Sequence, residues 1–461
     1  MTVLLGARQV GKSTLAATVF AGRSDVVTYD LERPADARAL MQAETTLERH
    51  TGLVVIDEVQ RQPSLFSLLR PLADRRPLRT RFVLLGSASP QLLKGVSESL
   101  AGRANFIEVG GFTLDEVGRK NWPALWLRGG FPRSYLAADE GAGLRWREAF
   151  ITAFLERDLP QLGISIPAAT LRRFWTMMAH YHGQIWNASE LARSLGADPK
   201  TTGRYLDVLA GAYAIRVLPP WFENLGKRLV KSPKVYVRDS GLLHALLDIE
   251  SERQLLSHAR LGASWEGFAL GQVLAAWPAA RPWFWSTHQG AELDLLLEHR
   301  GGRYGFEFKF GDAPAATKSM HIAREDLKLR HLWVVYPGTK EYPLGDAITA
   351  ATRSPRSRSP AFPSRRDREP AGQTHARLVS ALRRPRVRTT EVPDIADDQV
   401  APADRERSTI PPAPPFRGFG GFRGDLVSPV SHVSDVSPVF LRGQPASLRH
   451  ATPNALIFDH G

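Results

Sequence analysis

Gly6-Ala7-Arg8-Gln9-Val10-Gly11-Lys12-Ser13 is the stretch that decides the fold. Val3-Leu4-Leu5 before it reads as a short apolar strand, and Thr14-Leu15-Ala16-Ala17-Thr18-Val19-Phe20 after it reads as a helix. Strand, glycine loop and helix give the pattern G-x-x-x-x-G-K-[ST] a mechanism. Backbone N–H groups of the loop and the helix N-terminus present partial positive charge to phosphate. Gly6 through Thr14 are therefore candidate nucleotide-binding residues. Lys12 is expected to reach the β- and γ-phosphates, and Ser13 to hold Mg²⁺.

Working outward, Thr51-Gly52-Leu53-Val54-Val55-Ile56-Asp57-Glu58 is an apolar run that ends in two carboxylates. A run apolar on both faces suits a buried parallel strand. Asp57 is then expected at the carboxyl edge of the sheet, helping to hold Mg²⁺. Glu58 beside it is placed to orient or activate water. Other strands are expected at Val26–Tyr29, Phe82–Leu85 and Asn105–Val109, with helices such as Ala35–Arg49 and Ser64–Leu72 between them. The alternation predicts α/β architecture with a parallel sheet over residues 1–118. Ser87 and Ser89 end one of these strands, as γ-phosphate sensors or as an ordinary turn.

Composition sets outer bounds. The 461 residues suit two or three domains, and net charge is +13 with a pI of about 10.1. A basic balance permits nucleic-acid binding without requiring it. There is no cysteine, so disulfides and thiolate metal sites are excluded. The absence of cysteine, of a signal peptide and of a long apolar span leads us to expect a cytoplasmic protein with no membrane partner.

Residues 119–250 read as mostly helical. Asn187 caps a short helix that stops at Gly196, and Asp198–Ala210 gives a second helix with Lys200, Thr201, Thr202 and Arg204 in its first turns. Strand Ile215–Leu218 follows, which makes a winged-helix pattern. Such a unit either reads DNA through its second helix or packs between domains. Residues 251–350 form a third unit: helix Ser264–Trp277, strands Pro282–Trp285, Glu292–Glu298, Tyr304–Phe310 and Leu332–Tyr336, and a helical stretch over 315–329. Glu266, Asp294 and Glu307 with Lys309 could share a second divalent metal and polarise a water. Equally, they could be the alternating charges of a solvated strand.

From residue 351 to 461 lies a tail with 15 of the 33 prolines, 17 arginines and no lysine. It reads as disordered. A basic arm for nucleic acid, or translation in a shifted frame, are the other readings.

In this order the motifs resemble the prokaryotic AAA-type (AAA_14-like) P-loop ATPases that carry a C-terminal DUF4143 domain. The marks are residues 6–13, Tyr29-Asp30-Leu31-Glu32, Val55-Ile56-Asp57-Glu58-Val59-Gln60, Gly86-Ser87-Ala88-Ser89, Ser99-Leu100-Ala101-Gly102-Arg103, Gly129-Gly130-Phe131-Pro132 and Leu155-Glu156-Arg157-Asp158, with Glu292-Leu293-Asp294 and Glu307-Phe308-Lys309 further on. The resemblance implies an AAA/ASCE-like P-loop sheet with an extra strand between its two motif strands. After it come a winged helix and a domain similar to PD-(D/E)xK restriction endonucleases. ATP and Mg²⁺ are the implied cofactors, with Lys12, Ser13, Asp57 and Glu58 in their usual roles. Arg103 becomes a candidate charge stabiliser, acting in cis or across a subunit contact. Relatives of this kind have a few dozen residues before the first strand, whereas this chain starts inside it, so some cover and base-binding contacts are expected to be missing. The leading expectation is ATP hydrolysis coupled to the later modules, with DNA, a protein or a second copy as partner. A nucleotide switch without turnover and an ATP-gated DNA-binding protein or nuclease are the alternatives.

Overall fold

The computed structural model describes residues 1–75, 79–87, 100, 102–222 and 230–352. Ser89, Ser99, Ala101 and the tail from 353 onward lie outside the described residues.

Strands β1 (Thr2–Gly6), β2 (Val26–Asp30), β3 (Gly52–Asp57), β4 (Thr80–Ser87) and β5 (Asn105–Glu108) form a wholly parallel sheet in the order β2-β3-β4-β1-β5. The five-stranded α/β sheet has the arrangement expected of a P-loop fold. β4 lies between the glycine-loop strand and the carboxylate strand, as the resemblance implied. The sequence explains its burial: alternate residues of one strand feed opposite cores. Val3, Leu5, Val54 and Ile56 pack on one face with Leu65, Phe66 and Leu69 of helix α2 (Leu65–Asp74), whereas Leu4, Leu53 and Val55 pack on the other with Ala16 and Phe20 of helix α1 (Lys12–Phe20).

The single helix expected over 35–49 is broken into Pro34–Ala39, a 3₁₀ turn Leu40–Gln42 and Ala43–Glu48. Side chains take the carbonyls that a continuous helix would use: Thr46 Oγ1 donates to Ala39 O at 3.0 Å and Gln62 Nε2 to Leu40 O at 2.8 Å. Insertions into the ladder of this kind interrupt helices.

The middle region contains α3 (Trp122–Arg128), α4 (Glu140–Ala153), α5 (Ala168–His180), β6 (Gln184–Ile185), α6 (Ala188–Leu195), α7 (Pro199–Gly211), β7 (Ile215–Leu218), β8 (Lys234–Val237) and α8 (Ser240–Leu246). A π-turn, Phe154–Asp158, extends α4. Pro160 explains the irregularity, since without an N–H it cannot serve the carbonyl of residue 156. Asn187 caps α6 by accepting from Glu190 N, and Asp198 caps α7 by accepting from Thr201 N at 2.9 Å. β8 is central, antiparallel to β6 and β7; the sequence reading foresaw only β7.

Helix α9 (Leu261–Ala276) opens the third region. A six-stranded sheet follows in the order β13-β14-β12-β11-β10-β9. Its strands are β9 (Arg281–Ser286), β10 (Glu292–His299), β11 (Gly302–Phe308), β12 (His331–Tyr336), β13 (Tyr342–Gly345) and β14 (Ile348–Thr352), with α10 (Lys318–Asp326) before β12. β9, β10 and β11 are antiparallel neighbours, and β11, β12 and β14 run parallel. Met320 and Ala323 of α10 cover one face with Leu293 and Val334, and Trp265 and Phe268 of α9 cover the other with Phe306 and Trp333. Ala350 and Ala351 are buried in β14, so the ordered fold runs past the tail boundary expected at 351.

The middle and third regions share one core. Trp126 of α3 stands 5.5 Å from Trp265 and 5.3 Å from Phe310 between ring centroids. The segment leaving β7 runs beside β9: Trp221 N donates to Phe284 O at 2.7 Å and Phe284 N to Pro219 O at 3.0 Å.

Candidate nucleotide-binding site and a buried charged cluster

β1 delivers the glycine loop to the carboxyl edge of the sheet, where Gly6 lies in register with Ser87. A Cβ on Gly6 would meet Val109 O at 2.2 Å, so only glycine fits there. Gly11 has φ +98°, a conformation that glycine adopts without strain, and α1 begins at the next residue. Lys12 is 5% exposed and donates to the loop's own carbonyls, Gly6 O at 3.1 Å and Ala7 O at 2.8 Å. Burial lowers its pKa to about 8, opposed by the Glu58 and Asp57 carboxylates. None of its acidic neighbours ion-pairs with it among the described residues, and its ammonium is held by the two loop carbonyls.

Ser13 Oγ donates to Asp57 Oδ2 at 2.5 Å, and Asp57 Oδ1 accepts from Glu58 N at 2.8 Å. Burial raises the pKa of Asp57 and of Glu58 above the usual carboxylate range. Glu58 has φ +53°, a left-handed conformation that costs a non-glycine residue roughly 1–2 kcal/mol. Its carboxylate accepts from Gln60 Nε2. Ser87 Oγ is buried at the same edge without a hydrogen-bond partner among the described residues. The structure thus gathers Gly6–Ser13, Asp57, Glu58 and Ser87 at one edge, with Thr14 following in the first turn of α1.

Arg103 is placed elsewhere. It lies just before β5, whose Asn105 is level with Thr2 at the opposite, amino edge of the sheet. There its Nε donates to Asp74 Oδ1 and Oδ2, both at 2.8 Å. A five-residue strand separates the two edges, about 16 Å of chain. Arg103 therefore does not reach the loop of its own chain, which corrects the reading in cis.

The arginine that does stand at the loop was weighed only as one of its members. Arg8 Nη1 donates to Asp158 Oδ1 at 2.5 Å, and Arg157 Nε donates to the same oxygen at 2.9 Å. Asp158 is 1% exposed. The sequence marked it in Leu155-Glu156-Arg157-Asp158 without linking it to the loop, 150 residues away.

The second candidate site is brought together, with an addition. A bulge in β10 between Leu293 and Leu296 re-aims Asp294, whose Oδ2 accepts from Phe308 N at 3.1 Å. Lys309 Nζ lies 2.8 Å from Glu307 Oε2 and 3.8 Å from Asp294 Oδ2. Lys234 of β8 enters among the acids, 3.3 Å from Glu266 Oε1 and 3.4 Å from Asp294 Oδ1, and also pairs with Glu292. Tyr236 OH donates to Glu266 at 2.7 Å. The expected metal position is thus framed by two ammonium groups, and among the described residues no group of three or more His, Asp or Glu side chains is arranged to hold a metal ion. Only the lysine in the otherwise apolar strand Lys234-Val235-Tyr236-Val237 could have signalled this.

Burial, reinforced by Asp294, raises the Glu307 pKa to about 8, although Lys309 opposes the shift; burial and Asp294 likewise raise Glu266 to about 7 against Lys234. Burial alone would lower the Lys234 and Lys309 pKa values, but the surrounding acids prevail and raise both. Folded Glu307 holds a proton that the unfolded chain releases from its ordinary value of 4.5 upward. Its contribution to stability is full below that value and is lost as pH rises to about 8. Urea midpoints should fall between pH 5 and 8, and Glu307→Gln should flatten that fall. Equal slopes in the two proteins would refute the assignment.

In the middle region, Lys200 and Arg204 are exposed on α7. Thr202 is fully buried, and Thr201 is committed to its cap bonds with Asp198. Of the four first-turn residues, the two cations alone face outward.

The glycine loop, the Asp57-Glu58 edge and the strand order define a P-loop domain of AAA type, and sequence profiles agree. An AAA domain matches residues 1–118, a domain of unknown function (DUF8612) residues 119–253, and a domain of unknown function (DUF4143) residues 261–354. The chain belongs to the family of AAA-domain proteins with a C-terminal DUF4143 domain. Uncharacterized protein Rv2008c of Mycobacterium tuberculosis and uncharacterized protein Mb2031c of Mycobacterium bovis are each 50% identical to it over 352 residues, 76% of this chain and 79% of theirs. Among solved structures, protein VC1899 from Vibrio cholerae aligns with 75% of this chain and 90% of its own at 13% identity, with a TM-score of 0.14. No helix among the described residues is long and apolar enough to cross a membrane.

Proposed function

We propose that the protein is a Mg²⁺-dependent ATP hydrolase of the cytoplasm, whose nucleotide cycle acts on a winged-helix unit and a nuclease-like unit. One observation carries this reading: the glycine cradle, the Lys12 ammonium and the Ser13–Asp57 pair meet at one sheet edge, beside Glu58. The residues fit the group. Ser13 and Asp57 would hold Mg²⁺, which when bound supplies neutralisation of phosphate charge. Lys12 leaves the carbonyls of Gly6 and Ala7 for the terminal phosphates. Glu58, lifted by burial, accepts a proton from the attacking water. Buried Ser87 Oγ offers a hydrogen bond at the same edge.

The order α5-β6-α6-α7-β7-β8, with β8 between β6 and β7, supports the winged-helix assignment. Exposed Lys200 and Arg204 support DNA as its partner. The order α9-β9-β10-β11-α10-β12, with Asp294, Glu307 and Lys309 on neighbouring strands, supports a restriction-endonuclease-like unit. Insertion of Lys234 among those acids favours a packing role for that site over nucleic-acid cleavage. We place the domains at 1–118, 119–250 and 251–350.

The test is binding of a fluorescent ATP analogue to the full chain, beside Lys12→Ala. Losing a charge-assisted contact of about 1.5–3 kcal/mol should weaken affinity roughly 10- to 150-fold. Equal affinity in the two proteins would refute the nucleotide site.

A further inference from the structure

Arg8 and Asp158 join the phosphate loop to the middle region in a way that hydrolysis alone does not require. Arg8 sits two residues into the loop. Among the described residues only its Nη1 has a close acceptor: its Nη2 stands 3.9 Å from Glu32 Oε1, and its Nε is buried without a partner. The guanidinium is near enough to Lys12 and Glu58 to oppose the protonated state of both. Asp158 is equally unfinished, with Oδ2 buried and unpartnered. It occupies the last position of the π-turn, Phe154–Asp158. Such turns hold one extra residue, and relaxing one rotates the helix beyond it by about 100°. An aromatic series crosses this turn: Phe131 to Phe150 at 4.8 Å, Phe150 to Phe154 at 5.9 Å, and Phe154 to Trp175 of α5 at 5.2 Å. Val10 of the loop belongs to the same buried cluster.

We infer that Asp158 is a positioning residue that holds Arg8 for the terminal phosphate of the nucleotide, and that the pair reports that phosphate to the middle region through the π-turn. The inference rests on the nucleotide-binding reading above. The γ-phosphate of a triphosphate, which a diphosphate lacks, offers acceptors to the unspent Arg8 donors. Arg8 then divides its bonds between phosphate and Asp158, and the load on the π-turn changes.

The experiment uses the full chain with fluorescent ATP and ADP analogues, and compares the native protein with Asp158→Asn, Arg8→Lys and Lys12→Ala. Amide hydrogen exchange is followed over residues 150–162. The native protein should prefer ATP to ADP, and exchange over 150–162 should differ between the two nucleotides. Asp158→Asn and Arg8→Lys should each cut that preference at least about fivefold and erase the exchange difference. A purely structural role for the pair would weaken both nucleotides alike. Should Asp158→Asn fail to fold, Arg8→Lys, which keeps the charge, decides the matter. Preference within about twofold of native, or an unchanged exchange response, overturns the inference alone. Undiminished binding by Lys12→Ala overturns the nucleotide site and the inference together.

Discussion

Glu58→Gln should lower kcat for ATP hydrolysis by roughly 10²–10⁴-fold while nucleotide affinity stays within a few-fold of native. Glu58 follows the β3 residue that bonds Ser13, has a strained φ of +53°, and is near enough to Lys12 and Arg8 of the loop for their charges to act on it. Burial raises its pKa, which makes it a stronger base than an exposed glutamate; the hydrogen bond from Gln60 and the charges of Lys12 and Arg8 oppose that rise. The glutamine variant keeps the shape and the bond to Gln60 but accepts no proton. A fall in kcat without a matching rise in KM identifies a group acting in the transition state. Native turnover in the variant would remove Glu58 from the reaction. Absence of turnover in the native protein, with ATP still bound, would leave a nucleotide switch.

Lys234→Ala should destabilise the fold by about 3–5 kcal/mol, the usual penalty for removing one partner of a buried ion pair. Lys234 is 4% exposed and reaches three carboxylates on two elements, Glu266 of α9 and Glu292 and Asp294 of β10. Without it, Glu266 and Asp294 face each other in a medium of low polarity. The variant should regain part of its stability as pH falls from about 7 to 5, because the acids can then neutralise themselves by protonation. Adding Glu266→Gln to Lys234→Ala should restore part of the loss at neutral pH. Urea unfolding of the four proteins in this cycle measures the coupling. A loss under about 1 kcal/mol would show the cluster to be solvated, as at an exposed ion pair.

Much of the first region was legible because its signals are local. Apolar runs of strand length, a glycine loop and a pair of terminal acids fix β1, β3, α1 and their shared edge without knowledge of distant contacts. Helices α6 and α7 were legible for the same reason, through the caps Asn187 and Asp198 and the stop at Gly196. The broken helix over 35–49 was not, since it depends on Gln62 reaching Leu40 from a later element. The reading of Arg103 in cis failed because a short motif shows adjacency in sequence and not which edge of a sheet it serves; the reading across a subunit contact is unaffected. Arg8–Asp158 and Lys234–Glu266 link residues far apart in the chain, and no periodicity encodes such pairs. Strands β8, β13 and β14 were not foreseen; β13 contains Pro343 and ends at Gly345, and β14 lies across the tail boundary expected at 351.

The shared core and the backbone bonds from Trp221 and Phe284 to the neighbouring segments have a bearing on inheritance. Profiles divide the chain between residues 253 and 261, yet the tryptophans on either side of that division complete each other's burial. Recombination at that seam would hand each descendant half of an apolar interior, with Trp126 on one piece and Trp265 on the other. The two stretches are therefore expected to travel through evolution as one hereditary block. The P-loop region has interior layers of its own on both faces of its sheet, yet Val10 and the Arg8–Asp158 pair also tie it to the middle region.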